Sequence, residues 1–368
     1  MIQERISRVV KIGGFSHVRP VYIGGNNPVV IQTMWKDRLS PDDLDKAAQR
    51  IESLSAMGCG LLRFAVPDIE SADTLGRLAE MTSMPLVADI HFDYKIALRC
   101  LNYPIAKIRI NPGNIGSRDK VRILLEKASI RNIPIRIGVN AGSLPHALRE
   151  QVEEGLSASQ ALVDAAMLEL SIFDDLGYSA ILVSMKASTI ADTISANKKL
   201  SGETDVPLHI GVTEAGPLTA GVARNTAALV SLLTAGIGDT VRVSLSDTME
   251  NEIIAGREII SAAAQIAPEN MRLTGRGVNI VSCPRCGRHG FDTHGFTDRW
   301  MERLYAMEKD ITVAIMGCEV NGPVEAKHAD LGITGAGDKV LIFKHGEVIR
   351  TITADQADTA FGEELDKI

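Results

Sequence analysis

The sequence predicts an α/β chain: a (β/α)8 TIM barrel followed by a smaller α+β domain. Three observations predict it. Short apolar runs alternate with helical stretches from about residue 29 to 262, and eight such runs occur. After about residue 268 the pattern changes to short strands rich in glycine. Alternating strand and helix implies parallel strands with right-handed crossovers, and eight such units fit a closed barrel. A doubly wound open sheet would need a glycine-rich loop after its first strand, and QTMWKDRLS is not one.

The elements follow in order. Residues 8–14 (RVVKIGG) and 19–25 (RPVYIGG) read as a small hairpin, placed to plug the barrel floor. The barrel strands are expected at 29–34, 61–67, 85–91, 107–113, 134–140, 180–188, 207–216 and 240–246. Helices are expected over 42–58, 71–82, 119–132, 157–177 and 225–236. The barrel domain is assigned to 1–266, a linker (APENMRLTGRG) to 267–277, and the second domain to 278–368. That domain is expected to carry strands at 311–317, 339–346 and 347–353 and one helix at 297–310.

The totals exclude several classes. No uninterrupted apolar run approaches the ~18 residues of a membrane helix, and the N-terminus (MIQERISRVVKIGG) has no apolar signal core, so a cytoplasmic enzyme without membrane contact is expected. Net charge is −7 and aromatics make up 4%, whereas nucleic-acid binders show basic faces and stacking rings, so no nucleic-acid partner is expected. Five cysteines in 368 residues do not form a disulfide framework. Cys59 and Cys100 read as buried small apolar residues.

Buried parallel strands should be apolar throughout, yet these carry charge. Arg63, Arg109, Arg136, Lys186 and Arg242 fall within or at the ends of strands, as do Asp89, His91, Asn111, Asn140 and Glu214. Side chains two apart share a face, which pairs Asp89 with His91 and Arg109 with Asn111. In a barrel such residues belong at the C-terminal mouth, where active sites sit. Five cations against two carboxylates leave excess positive charge in a concave site. That excess calls for an anion, and guanidinium geometry suits phosphate oxygens. A diphosphate is a reasonable size. Glu214 differs from its neighbours, because apolar burial could keep it protonated as an acid.

The other three cysteines cluster. Cys283-x-x-Cys286 is followed by Cys318, and Glu325 lies seven residues further on. Three thiolates and a carboxylate fit a [4Fe–4S] cluster with one exchangeable corner. Cys-x-x-Cys is equally half of a zinc site, with His289, His294 or His328 as a further ligand. That alternative gives a zinc-stapled barrel lyase, aldolase-like, acting on a phosphate ester with Lys186 as a Schiff base.

The segments VADIHFDYKIAL (87–98), IRINPGNIG (108–116), IPIRIGVNAGSL (133–144), GVTEAG (211–216), GIGDTVRVSL (236–245), SCPRCGR (282–288) and GCEVNGPVEA (317–326) together resemble the (E)-4-hydroxy-3-methylbut-2-enyl diphosphate synthase family in its bacterial two-domain form. The resemblance implies an oxidoreductase of the non-mevalonate isoprenoid pathway. Its substrate would be 2-C-methyl-D-erythritol 2,4-cyclodiphosphate, opened and dehydroxylated with two electrons and two protons. It implies a [4Fe–4S] cluster on Cys283, Cys286, Cys318 and Glu325. It implies diphosphate contacts from Arg63, His91, Arg109, Arg136, Asn140, Lys186 and Arg242, an acid at Glu214, and an approach by Asn321. Ferredoxin or flavodoxin would supply electrons, and a head-to-tail homodimer would bring one subunit's cluster domain over the other's barrel. Two departures stand out. The family has Gly before the ligating Glu where this chain has Val324, which would be strained at positive φ. The family's Thr/Asn/Asp-rich loop after Gln-x-Met is Trp35-Lys36-Asp37-Arg38 here, with Trp35 read as packing.

Overall fold

The computed structural model describes residues 5–111, 115, 117–187, 189–213, 215–273 and 277–368; the side chains of Ser143 and Asn321 are left aside. The chain divides into two compact units, Met1–Gly275 and Arg276–Ile368.

The first unit opens with an antiparallel hairpin, β1 (Val10–Ile12) and β2 (Val21–Ile23). Eight parallel strands follow: β3 (Val30–Met34), β4 (Cys59–Ala65), β5 (Leu86–Asp89), β6 (Lys107–Ile110), β7 (Ile135–Asn140), β8 (Ile181–Lys186), β9 (His209–Ile210) and β10 (Thr240–Val241). The sheet runs β8-β7-β6-β5-β4-β3-β10-β9. A parallel bridge from Val183 to Leu208 joins β8 to β9 and closes the barrel. Each strand returns through a helix, and polar residues from the preceding loop start several of these. Asp68 accepts from Ser71 N at 2.7 Å, and Thr248 accepts from Asn251 N at 3.2 Å to open the helix Met249–Ile266.

The hairpin residues Val10, Ile12, Val18 and Ile23 pack with Leu61, Val87, Ala106 and Leu182, the inward residues at the N-terminal ends of the strands. They fill the floor. Asp239 pins this end. Its carboxylate takes Ser7 Oγ at 2.6 Å, Leu208 N at 2.7 Å and Arg272 Nη2 at 2.8 Å. Arg272 also donates to Gly236 O and Gly238 O, and Asn270 donates to Leu233 O. Residues 267–273, within the stretch expected as a linker, are therefore fastened to the barrel base. Cys59 and Cys100 are buried, and burial pushes both thiols up to about 12, so they pack as inert apolar groups.

The second unit is a five-stranded mixed sheet: β11 (Asn279–Ser282), β12 (Thr312–Met316), β13 (Leu331–Ala336), β14 (Lys339–Lys344) and β15 (Glu347–Ile352). The first three strands are parallel and the last two run antiparallel. Helices Thr293–Tyr305 and Ala357–Leu365 cover it through Phe296, Trp300 and Phe361, whose rings pack edge-on and stacked at 4.9–5.8 Å. Sequence reading missed β11, β13 and the last helix, and placed the other helix four residues too late. Strand β13 is hard to see because two of its six residues are glycines required by packing. A Cβ on Gly332 would lie 2.1 Å from the Phe343 ring, and one on Gly335 would lie 2.5 Å from the Gly290 backbone.

Candidate active site

The expected cations do gather inside the barrel, on neighbouring strands. Ladder register places Asp89 beside Arg109, Arg109 beside Arg136, and Asn140 beside Lys186 on neighbouring strands. Asp89 is the hub. Its Oδ1 lies 3.0 Å from Arg109 Nη1 and 3.6 Å from His91 Nε2, and its Oδ2 lies 3.6 Å from Arg63 Nε. Arg109 Nη1 also donates to the His91 ring at 2.9 Å. Burial alone would raise the Asp89 pKa, but the His91 pairing and the charges of Arg63, Arg109 and Arg136 outweigh it and hold the carboxyl far below the usual range. Gly138 makes this possible, since a Cβ there would lie 2.7 Å from Arg109 Nε and Nη2.

Arg136 is 1% exposed, and among the described residues its Nε and Nη1 have no hydrogen-bond partner. The same holds for Nε of Arg63, Arg109 and Arg242. Buried donors without acceptors are costly, and four guanidinium groups with that defect on one barrel interior define a receptor for acceptor oxygens. Lys186 is buried too. Burial, then the charges of Arg242, Arg136 and Arg63, push its ammonium well below the ordinary lysine range.

Sequence reading missed a deeper polar layer. Lys107 is fully buried and donates to Gln32 Oε1 at 3.0 Å; His209 is fully buried and shares a hydrogen bond of 2.8 Å with Thr240. Burial, then the charges of Arg136, Lys186 and Lys107, hold His209 neutral. It also missed Glu252, which is 1% exposed in the first turn of Met249–Ile266. Glu252 Oε2 accepts from Thr33 Oγ1 at 2.5 Å, and Oε1 accepts from Lys36 Nζ at 2.8 Å and Leu245 N at 3.0 Å, with Arg242 Nη2 at 3.5 Å. The available signal was position, because the helix after the eighth strand overhangs the mouth. Trp35 packs as expected, stacked on Phe64 at 5.3 Å. Asn140 ends β7. Glu214 lies outside the described residues, and of Asn321 only the backbone position, in the π-helix described next, is assigned.

The second unit positions its cysteines by strand register. Strands β11 and β12 are parallel, with Ser282 beside Ile315, so Cys283 and Cys318 follow the same ends of adjacent strands. Cys283 N donates to Ile315 O, and Gly290 N donates to Gly317 O at 2.8 Å, tying the Cys283–Cys286 loop to the Cys318 loop. A Cβ at Gly317 would stand 3.7 Å from Cys283 Sγ, so the two loops run side by side. Arg285, between the two cysteines, takes φ +72° and turns the loop. Cys286 is exposed, and its thiol is lowered by the Arg288 backbone N–H and then the Arg288 side chain. Cys318 leads into the π-helix Val320–Glu325, which ends on an exposed Glu325. Val324 lies within that helix and is not at positive φ, so the residue replacing the family's glycine carries no left-handed strain. Among the described residues no three His, Cys, Asp or Glu side chains converge closely enough to hold a metal ion.

Fold and residues together define a TIM-barrel protein with a cluster of buried cations inside the barrel and a companion unit bearing three cysteines. The chain belongs to the GcpE family: the GcpE TIM-barrel domain matches residues 15–257 and the GcpE protein C-terminal domain matches residues 279–367. Relatives named 4-hydroxy-3-methylbut-2-en-1-yl diphosphate synthase (flavodoxin) match along nearly all of it. That of Treponema pallidum is 48% identical, covering 98% of this chain and 92% of the relative. That of Treponema denticola is 45% identical over 99% of each. That of Geobacillus thermodenitrificans is 38% identical over 100% of this chain and 94% of the relative. The zinc-stapled lyase has no support among them. No helix among the described residues is long and apolar enough to cross a membrane.

Proposed function

We infer that this chain is an oxidoreductase that converts 2-C-methyl-D-erythritol 2,4-cyclodiphosphate to (E)-4-hydroxy-3-methylbut-2-enyl diphosphate. The observation that carries this reading is the barrel interior. Arg63, Arg109, Arg136 and Arg242 each keep a buried Nε without a hydrogen-bond partner among the described residues, and such a set of guanidinium groups suits the oxygens of a diphosphate. Near-full-length identity to the flavodoxin-dependent relatives supports it.

In this reading Arg63, His91, Arg109, Arg136, Asn140, Lys186 and Arg242 grip the diphosphate oxygens. Asp89 holds Arg63, Arg109 and His91 in place through its two carboxylate oxygens. Burial and the charges of Arg242, Arg136 and Arg63 lower the Lys186 ammonium, and an arriving anion would oppose that shift. Glu214 supplies the proton to the departing hydroxyl oxygen, and Asn321 approaches the same region.

The donor chemistry of the second unit fits a [4Fe–4S] cluster. Cys283, Cys286 and Cys318 are soft ligands on two loops tied together by Gly290 N and Gly317 O, and Glu325 provides a hard, weaker one. When bound, the cluster supplies low-potential electrons one at a time and a Lewis-acidic corner. The Cys286 thiol is lowered by the hydrogen bond from Arg288 N, which favours the thiolate that ligation needs. Flavodoxin, or a ferredoxin, delivers the electrons in the cytoplasm, and a head-to-tail homodimer completes the assembly.

The test is anaerobic purification with iron and acid-labile sulfide analysis, then turnover of the cyclodiphosphate under an artificial reductant. Sulfide with about four irons per chain and release of the linear diphosphate are expected. Zinc without sulfide, or an inert cyclodiphosphate, overturns the reading.

A further inference from the structure

We propose that Lys36 is a positioning residue that holds the Glu252 carboxylate away from Arg242 and so keeps the Arg242 guanidinium available to the substrate's diphosphate. The proposal rests on the function inferred above. It concerns the loop in which this chain departs from its family, Trp35-Lys36-Asp37-Arg38 after β3.

The last barrel strand is only two residues long, Thr240–Val241, so Arg242 stands just beyond it. Its backbone N–H reaches Ile210 O at 3.0 Å, but its side chain must be fixed by something other than the ladder. The neighbouring carboxylate is Glu252, and a buried arginine beside a carboxylate normally closes into a short forked pair. It does not do so here. Glu252 Oε1 stands 3.5 Å from Arg242 Nη2, and Arg242 Nε has no partner among the described residues.

The oxygen is occupied by others. Lys36 Nζ donates to it at 2.8 Å and Leu245 N at 3.0 Å, while Thr33 Oγ1 takes the second oxygen. Lys36 is itself clamped, because its ammonium donates to Leu245 O at 2.7 Å. One ammonium therefore counters the carboxylate's charge and occupies the oxygen nearest Arg242. Without that ammonium, Arg242 would be the remaining ion-pair partner of Glu252 among the described residues, and the attraction between the two would draw Arg242 into a closed pair. A guanidinium spent on Glu252 is lost to a diphosphate.

Three variants and two readouts test this. Lys36→Met is expected to raise KM for the cyclodiphosphate about tenfold, while kcat falls less than about threefold. It should also reduce the thermal shift produced by inorganic pyrophosphate in the same holoenzyme. Lys36→Arg, which restores a donor to Glu252, should recover both readouts. The double variant Lys36→Met/Glu252→Gln should bind better than Lys36→Met alone, because a neutral amide cannot capture Arg242. A merely structural role predicts the reverse, with the double variant worse than the single one. A Lys36→Met KM within about twofold of the parent, or a double variant that binds more weakly than Lys36→Met, overturns the proposal. Should Lys36→Met fail to fold, the double variant is compared with the parent instead: a KM within about threefold of the parent's supports the proposal, and a rise of about tenfold or more overturns it. A parent enzyme that leaves the cyclodiphosphate intact would instead refute the reaction. The pyrophosphate shifts would then judge Lys36 independently.

Discussion

Arg136→Met should make the protein more stable and a worse enzyme, and the pairing of those outcomes is diagnostic. Arg136 is 1% exposed and flanked by Arg63 and Arg109, with Asp89 the carboxylate in range. Burial first, then those like charges, push its guanidinium well below the ordinary arginine range, and its Nε and Nη1 are buried without partners among the described residues. An unsatisfied buried donor costs about 1–3 kcal/mol. Methionine matches the aliphatic stem and removes that cost. At roughly 2–4 °C per kcal/mol for a domain of this size, Tm should rise by about 2–12 °C. A diphosphate would meet one charge-assisted bond fewer, worth about 1.5–3 kcal/mol, so KM should rise roughly ten- to a hundredfold. Thermal melts and anaerobic initial rates on one holoenzyme preparation read both. A lower Tm with unaltered KM would show that Arg136 is satisfied structurally and does not serve the anion, and the argument from orphaned donors would fall with it.

Three further outcomes follow from the same geometry. Asp89 sits below its unfolded pKa, so the unfolded chain binds more protons; its contribution is complete above about pH 4 and drains away as pH falls through that range. The urea midpoint of Asp89→Asn should therefore decline less between pH 5 and pH 3 than that of the parent, and parallel declines would contradict the hub role. Lys186 is held low by burial and by Arg242, Arg136 and Arg63, so an arriving anion should raise it and draw in protons. Calorimetric titration with the cyclodiphosphate in buffers of differing ionisation enthalpy should report net uptake and weaker binding as pH rises; zero linkage would mean that Lys186 is already charged. Glu325→Cys should prolong the brown colour in air and slow turnover, because a fourth thiolate grips where a carboxylate yields; undiminished turnover would remove Glu325 from the exchangeable position.

The barrel was legible because its signal is periodic. Eight apolar runs separated by amphipathic stretches survive local irregularity, and the strands β3 to β10 fall inside the expected segments except β4, which starts two residues early at Cys59. Strand ends were not legible. The expected strand 240–246 contracts to Thr240–Val241, and 85–91 to Leu86–Asp89, because inward side chains continue past the point where the ladder opens toward the mouth. Charged residues on strands were visible as violations of an apolar rule, which is why Arg63, Arg109, Arg136, Lys186 and Arg242 were found. Glu252 breaks no rule, since a glutamate in the first turn of a helix is ordinary, and only its burial against Thr33 and Lys36 shows what it does. Lys107 and His209 were hidden for a related reason. They open their strand runs, where a single polar residue reads as a loop boundary.

The plugged floor has a further consequence. With Ile12, Val18 and Ile23 wedged against Leu61, Val87 and Leu182, the described residues stopper the barrel floor and leave the mouth at the other end as the route a ligand would take. Cargo, water and finished molecule share that single route, so traffic has to alternate and cannot stream through. Whatever stands in the doorway governs the tempo of the whole cycle, and loosening the stopper below would give solvent a back entrance to chemistry that depends on its exclusion.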